Sequence, residues 1–208
     1  MSEDHKKQLE TQLWNIANEL RGKMDADEFR DYILGFIFFK YLSEKMHIYA
    51  DELLSDDGLH FINLDANNSA DAEYLEAVRE EALGKLGYFL MPNELFSEIA
   101  KRGNKQAVDQ SNFIIEDLTA ILNNIEQSTM GTDSEDDFGN LFEDLDLNST
   151  KLGKTVEARN TLIAKVLAHL DKIDFKLLVD EGHIFGEAYA DLTALFDRGV
   201  GKKAGEFY

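Results

Sequence analysis

The residues best equipped for chemistry stand together at the end of the sequence, in RGVGKKAGEFY from Arg198 to Tyr208. Arg198, Lys202 and Lys203 occur there with no acid between Arg198 and Gly205. Cations grouped in this way suit phosphate oxygens, which fix a protein on nucleic acid without reading its sequence. Gly199, Gly201 and Gly205 miss the dinucleotide-binding spacing, because Ala204 occupies the third glycine position. Gly201 and Lys202 lack the first glycine and the Ser/Thr of a nucleoside triphosphate loop. Both motifs need a strand before them, and the pattern before this segment is helical. The segment therefore reads as a glycine hinge carrying a basic face.

Other constellations fail on their most demanding positions. Asp133, Glu135 and Asp137 alternate as in a calcium loop, but Phe138 stands where the sharp turn needs Gly. Asp144 stands where the bidentate Glu belongs. A solvated acidic loop is the better reading. His5, His47, His60, His169 and His183 include no pair at the i, i+4 spacing of a helical zinc site. There is no GxSxG elbow for a serine nucleophile. Cysteine is absent, which excludes disulfides, thiolate metal sites and thiol nucleophiles and fits a reducing compartment. No metal site and no catalytic residue is expected in this sequence.

Charge narrows the partners. The formal net charge is −20 over 208 residues, so the molecule as a whole repels phosphates, and contact with DNA needs a local basic patch. From Gln106 to Thr150 there are eleven Asp and Glu and no Lys or Arg. The polar start, Met1 to Glu10, has no signal-peptide core, and the most apolar run, YILGFIFFKYL, is interrupted by Lys40. A cytoplasmic protein without membrane contact is expected.

The elements that must position the basic segment are helices. With 44% hydrophobic residues and one proline, Pro92, the chain favours long helices around a sizeable core. Leu9, Leu13, Ile16, Ala17 and Leu20 recur at helical spacing and predict a helix over 6–21, with Trp14 beside the stripe and against the next element. A second helix starts near Asp25 or Asp27, with Glu28 in its first turn, and continues through Lys45. Phe29, Tyr32, Ile33, Phe36, Ile37, Phe39 and Leu42 are too many for one stripe, so this helix belongs at the centre. Gly35 in its middle predicts close packing against a neighbour. A short strand is expected at 59–64, then a helix over 71–83 stopped by Gly84. An extended buried piece leads to Pro92 and Asn93, which open a short helix with Leu95, Phe96 and Ile99 inside and Gly103 at its end. Helices follow over 113–125 and 155–172, with Thr155 at the N-terminus of the second. A loop with a helical turn near Leu141 separates them, and a last helix covers 186–197. The fold class is mainly α, a single multi-helix domain with little or no β-structure.

Five segments carry a family resemblance. LWNIANELRGKMDADEFRDYILGFIFFKYLSEK (Leu13 to Lys45) resembles the opening of the modification subunit of type I restriction-modification systems. LGYFLMPNELF (Leu86 to Phe96), KLGKTVEARNTLIAKVLAHLDKIDF (Lys151 to Phe175) and GEAYADLTALF (Gly186 to Phe196) are similar to later parts of the same region. KKAGEFY (Lys202 to Tyr208) is similar to the signature that closes it. The resemblance implies an N-terminal helical domain over 1–197, with 198–208 as the junction into a Rossmann-like methyltransferase domain. It implies an S-adenosylmethionine-dependent methylation of adenine N6 in DNA by the whole subunit. By that resemblance Glu206, Phe207 and Tyr208 form the leading edge of the cofactor pocket. It also implies partners: a specificity subunit, a second modification subunit, a restriction subunit and double-stranded DNA.

The family's Asn-Pro-Pro-Phe motif, which holds a flipped adenine, and its glycine-rich cofactor loop do not occur in these 208 residues. The expected role of this portion is therefore assembly and DNA clamping, inactive alone, with Arg198, Lys202 and Lys203 on the DNA backbone. The alternative is a stand-alone acidic protein that mimics DNA or binds another protein.

Overall fold

The computed structural model describes residues 3–20, 22–24, 26–106, 113–131, 135 and 142–174. Within them the chain forms α-helices and short 3₁₀ turns and no strand, which agrees with the expected mainly α class. The helices are α1 (Glu3–Leu20), α2 (Ala26–Leu54), α3 (Ser69–Lys85), α4 (Phe96–Gln106), α5 (Ile114–Thr129) and α6 (Val156–Asp171).

Helix α2 is the centre of the core. Tyr32, Ile33, Phe36, Ile37, Phe39 and Leu42 are all buried, and so are Leu34, Phe38 and Tyr41 on the other sides. Each buried large side chain contributes about 1.5–3 kcal/mol, which far exceeds the roughly 1 kcal/mol that a helical glycine costs. Gly35 also has the packing reason its position suggested: a Cβ there would lie 3.2 Å from Leu145 Cδ2. The helix starts at Ala26, which puts Asp27 inside the first turn rather than at the cap, and Asp25 lies outside the described residues. It continues nine residues past Lys45 to Leu54, because Met46, Ala50 and Leu54 extend the buried face at spacings of four.

Helix α6 is the second organiser and lies against α1, α2, α4 and α5. Its stripe is Leu162, Ile163, Val166, Leu167 and Leu170, as the spacing predicts. The Thr155 side chain caps it, accepting from Ala158 N at 3.1 Å. In α1, Leu13, Ile16 and Leu20 are buried, and Trp14 beside them is 36% exposed.

Further boundaries differ from the sequence reading. Segment 59–64 is not a strand: Phe61–Asn63 is a 3₁₀ turn closed by Leu64 N donating to Phe61 O at 3.2 Å. The i, i+3 spacing of a 3₁₀ turn eclipses Phe61 and Leu64 on one inner face, which resembles strand patterning over so few residues. Asp51 Oδ1 accepts from Phe61 N at 2.8 Å and ties the turn to α2. Helix α3 runs past Gly84 and stops before Gly87, whose φ of 85° supplies the left-handed residue that ends a helix. Helix α4 runs through Gly103 to Gln106, because Gly103 is a contact point rather than a stop. A Cβ at Gly103 would lie 3.1 Å from Ala164 Cβ of α6 and from Ile114 Cδ1.

The piece before Pro92 is extended and buried, as expected, and its polar groups are satisfied by the helices around it. Tyr88 is 1% exposed and its hydroxyl donates to Leu42 O at 2.7 Å. The N-terminal amide of Phe96 donates to Ser43 Oγ at 2.7 Å, so a side chain of α2 caps α4. Helix α5 begins in the same way, with Ile114 N donating to Asn160 Oδ1 of α6 at 2.9 Å.

Candidate nucleic-acid and cofactor interface

The basic residues Arg198, Lys202 and Lys203 and the cofactor-edge residues Glu206, Phe207 and Tyr208 lie outside the described residues. The expected helix over 186–197, the turn near Leu141 and the alternating acids Asp133 and Asp137 lie outside them as well. The described platform ends at Asp174, three residues past the C-terminus of α6.

The platform is organised by a buried charge. Lys40, which the sequence shows only as an interruption of an apolar run, is 2% exposed. Its ammonium lies 3.5 Å from Glu44 Oε1 and 4.0 Å from Asp171 Oδ1. It also sits 5.1 Å above the Phe96 ring, where the π face favours a cation. Asp171 is the last residue of α6, so the lysine faces the negative end of that helix dipole. Burial pushes the Asp171 carboxyl above the usual carboxylate range; Lys40 and Lys101 pull it back, and Glu98 pushes it further up. One side chain of α2 thus joins α4 and the end of α6. The only signal in the sequence is the i, i+4 spacing of Lys40 and Glu44; the third partner is 131 residues away and leaves no local trace.

Around it, several other described cations are engaged with acids of the same lobe. Lys101 lies 2.9 Å from Glu98, Arg102 2.8 Å from Asp117, Lys165 3.6 Å from Glu19 and Arg79 3.6 Å from Glu76, and Lys151 pairs with Glu28. His169 Nε2 approaches the same Glu19 at 3.5 Å across the α1–α6 contact. A phosphate would have to displace a carboxylate at each of these positions. These five cations are locally neutralised.

No described group of three or more His, Asp or Glu is arranged to hold a metal ion. No described helix is long and apolar enough to cross a membrane. A cleft of about 250 Å³ opens between the turns Phe61–Asn63 and Pro92–Glu94. That volume falls below the roughly 300–1,000 Å³ of small-molecule and cofactor sites. The cleft does not fit S-adenosylmethionine, and no described residue is assigned to that cofactor.

Comparison with known proteins places this arrangement. Residues 9–170 match the HsdM N-terminal domain family. The chain is 30% identical over 210 residues to the type I restriction enzyme MpnII methylase subunit of Mycoplasma pneumoniae, covering 96% of this chain and 37% of that protein. The crystal structure of a type I restriction-modification system methyltransferase subunit from Streptococcus thermophilus matches with a TM-score of 0.66 and 30% identity, covering 92% of this chain and 38% of that one. The chain thus spans less than two fifths of the length of either relative.

Proposed function

The chain belongs to the HsdM N-terminal domain family, and on that premise we propose that it is the helical assembly and DNA-clamping lobe of a type I modification subunit. The observation that carries the reading is the match over 9–170, which reaches into all six described helices and includes Lys40 and Glu44. A stand-alone acidic DNA mimic is not favoured, because the relatives matched over nearly the whole chain are named as methylase and methyltransferase subunits.

In this proposal the whole subunit is a methyltransferase that moves the methyl group of S-adenosylmethionine to adenine N6 of DNA. It acts in the cytoplasm, with a specificity subunit that reads the site, a second modification subunit and a restriction subunit. Residues 1–197 form the lobe and 198–208 lead into the methyltransferase domain. Glu206, Phe207 and Tyr208 form the near edge of the cofactor pocket, by their similarity to the closing signature of the family region. Arg198, Lys202 and Lys203 touch the DNA backbone at the hinge, where the otherwise acidic lobe allows it. Methyl transfer needs the adenine amino group polarised and aligned with the donor, and this lobe supplies neither.

The test is the salt dependence of DNA binding by the full subunit with its specificity partner. Each lost phosphate contact lowers the slope of log affinity against log salt by about 0.9. The variant R198Q/K202Q/K203Q is expected to lower that slope by about 2–3 and to weaken binding equally on specific and nonspecific DNA. An unchanged slope overturns the DNA-backbone assignment.

A further inference from the structure

We propose that the cleft between the turns Phe61–Asn63 and Pro92–Glu94 docks a basic peptide segment of a partner chain, which inserts one large apolar side chain. The floor is apolar: Leu64 and Pro92 are buried and Ile62 and Met91 half-buried. The carboxylates of Asp65 and Glu98 stand in the lining. At about 250 Å³ the cleft is too small for most cofactors and large enough for a single side chain.

Its walls are built to hold shape. Phe61 N is held by Asp51, Met91 N by Glu94 Oε1 at 2.8 Å, and Asp65 N by Asp71 Oδ2 at 2.9 Å. Arg102 Nη2 donates to Asn93 O at 3.1 Å and fixes the far turn to α4. These bonds place three further carboxylates, Asp51, Asp71 and Glu94, immediately behind the lining. Lys101, paired with Glu98, and Arg102, paired with Asp117, are the cations on the α4 side. His47 faces Asp51 at 3.4 Å from α2.

Charge complementarity selects the occupant. Residues 51–81, which form one wall and its surroundings, contain ten Asp and Glu against a single cation, Arg79. Such a surface attracts a cationic segment and rejects an acidic one or nucleic acid. An apolar floor inside an acidic rim then reads an apolar side chain flanked by Lys or Arg. Pocket-filling anchors surrounded by a polar rim are the usual source of affinity at protein interfaces.

Two probes test this with the 208-residue chain: the amidated peptides Lys-Lys-Leu-Lys-Lys and Lys-Lys-Ala-Lys-Lys, titrated at low salt and followed by amide NMR shifts. The leucine peptide is expected to bind about tenfold tighter than the alanine peptide, with shifts centred on Ile62, Asn67, Met91 and Asn93. Replacing Ala66, an exposed lining residue, by Trp fills the cleft from its rim; A66W should abolish the leucine preference while its thermal melt stays that of the wild type. D65N/E98Q should weaken both peptides alike and keep their ratio. Equal binding of the two peptides, a leucine preference that survives A66W, or no binding at millimolar peptide overturns the proposal. A leucine affinity that rises about tenfold in R198Q/K202Q/K203Q overturns the partner assignment in favour of the chain's own basic end.

Discussion

Removing the acids around Lys40 is more damaging than removing Lys40. At 3.5–4.0 Å and an effective dielectric of about 20, each carboxylate stabilises the ammonium by at most about 4 kcal/mol, and the partial exposure of both acids screens this to about 2 kcal/mol each. Desolvating an ammonium that is 2% exposed costs several kcal/mol, so the intact cluster is close to balance. In E44Q/D171N the lysine stays buried without these carboxylates. Losing a buried partner costs about 3–5 kcal/mol, and the low end applies because the acids are 28% and 34% exposed and partly screened. Lys40→Met behaves differently. It keeps the stem, places a thioether against Phe96, and leaves two carboxylates that already reach water. We expect E44Q/D171N to lose about 3 kcal/mol, K40M to fall within about 1 kcal/mol of the wild type, and K40M/E44Q/D171N to recover most of the loss. Urea unfolding reads all three; for a chain of this size the 3 kcal/mol corresponds to a melting point lower by about 6–12 °C. A K40M variant that loses more than about 3 kcal/mol beside a neutral E44Q/D171N would refute the desolvation argument.

Further outcomes follow from other contacts. The Tyr32 hydroxyl donates to Asp146 O, and burial first, then the charges of Asp146 and Glu28, push its pKa up from 10.0 to about 12, against a hydrogen bond to Ser149 that lowers it. The folded chain therefore holds this proton more tightly than the unfolded one; the stability it contributes is full below pH 10 and is lost as pH rises through about 12. Between those limits the wild type should lose about 2 kcal/mol more than Tyr32→Phe in urea midpoints, less than the full 1.36 kcal/mol per unit because the hydroxyl is only partly buried. Equal losses would show that Tyr32 titrates normally. Gly84→Ala should stabilise by about 0.5–1 kcal/mol, since nothing lies within 4 Å of the added methyl group on α3. Gly103→Ala should destabilise by about 1 kcal/mol, because Ala164 Cβ at 3.1 Å cannot swing aside, and G103A/A164G should relieve the clash. Thermal melts of the three variants decide both, and a stabilised G103A would show that α4 and α6 are less closely packed than described.

Those two glycines, both read as helix stops, mark where sequence reading fails. Periodicity over ten or more residues predicts α1, the centre of α2, α5 and α6, since a buried stripe is a local pattern. A glycine in a helix is ambiguous: Gly35, Gly84, Gly87 and Gly103 look alike in sequence, and only the neighbour (Leu145, open space, a positive φ, Ala164) distinguishes them. The 3₁₀ turn at Phe61 imitates a strand because three or four residues cannot separate the two periods. Of the proposed site residues, the basic and aromatic end was drawn from composition and resemblance, and it lies outside the described residues. The cleft was not legible, because Ile62 and Met91 meet across 29 positions of sequence.

The account rests on this lobe being needed for a methyltransferase to hold DNA, and one measurement addresses it directly. The full modification subunit, and a version lacking residues 1–197, would each be mixed with the specificity subunit and assayed for DNA affinity and methyl transfer from S-adenosylmethionine to adenine. The account predicts that the shortened subunit still binds S-adenosylmethionine but loses DNA retention and methyl transfer by tenfold or more. A shortened complex that assembles and methylates DNA as the full one does would contradict it.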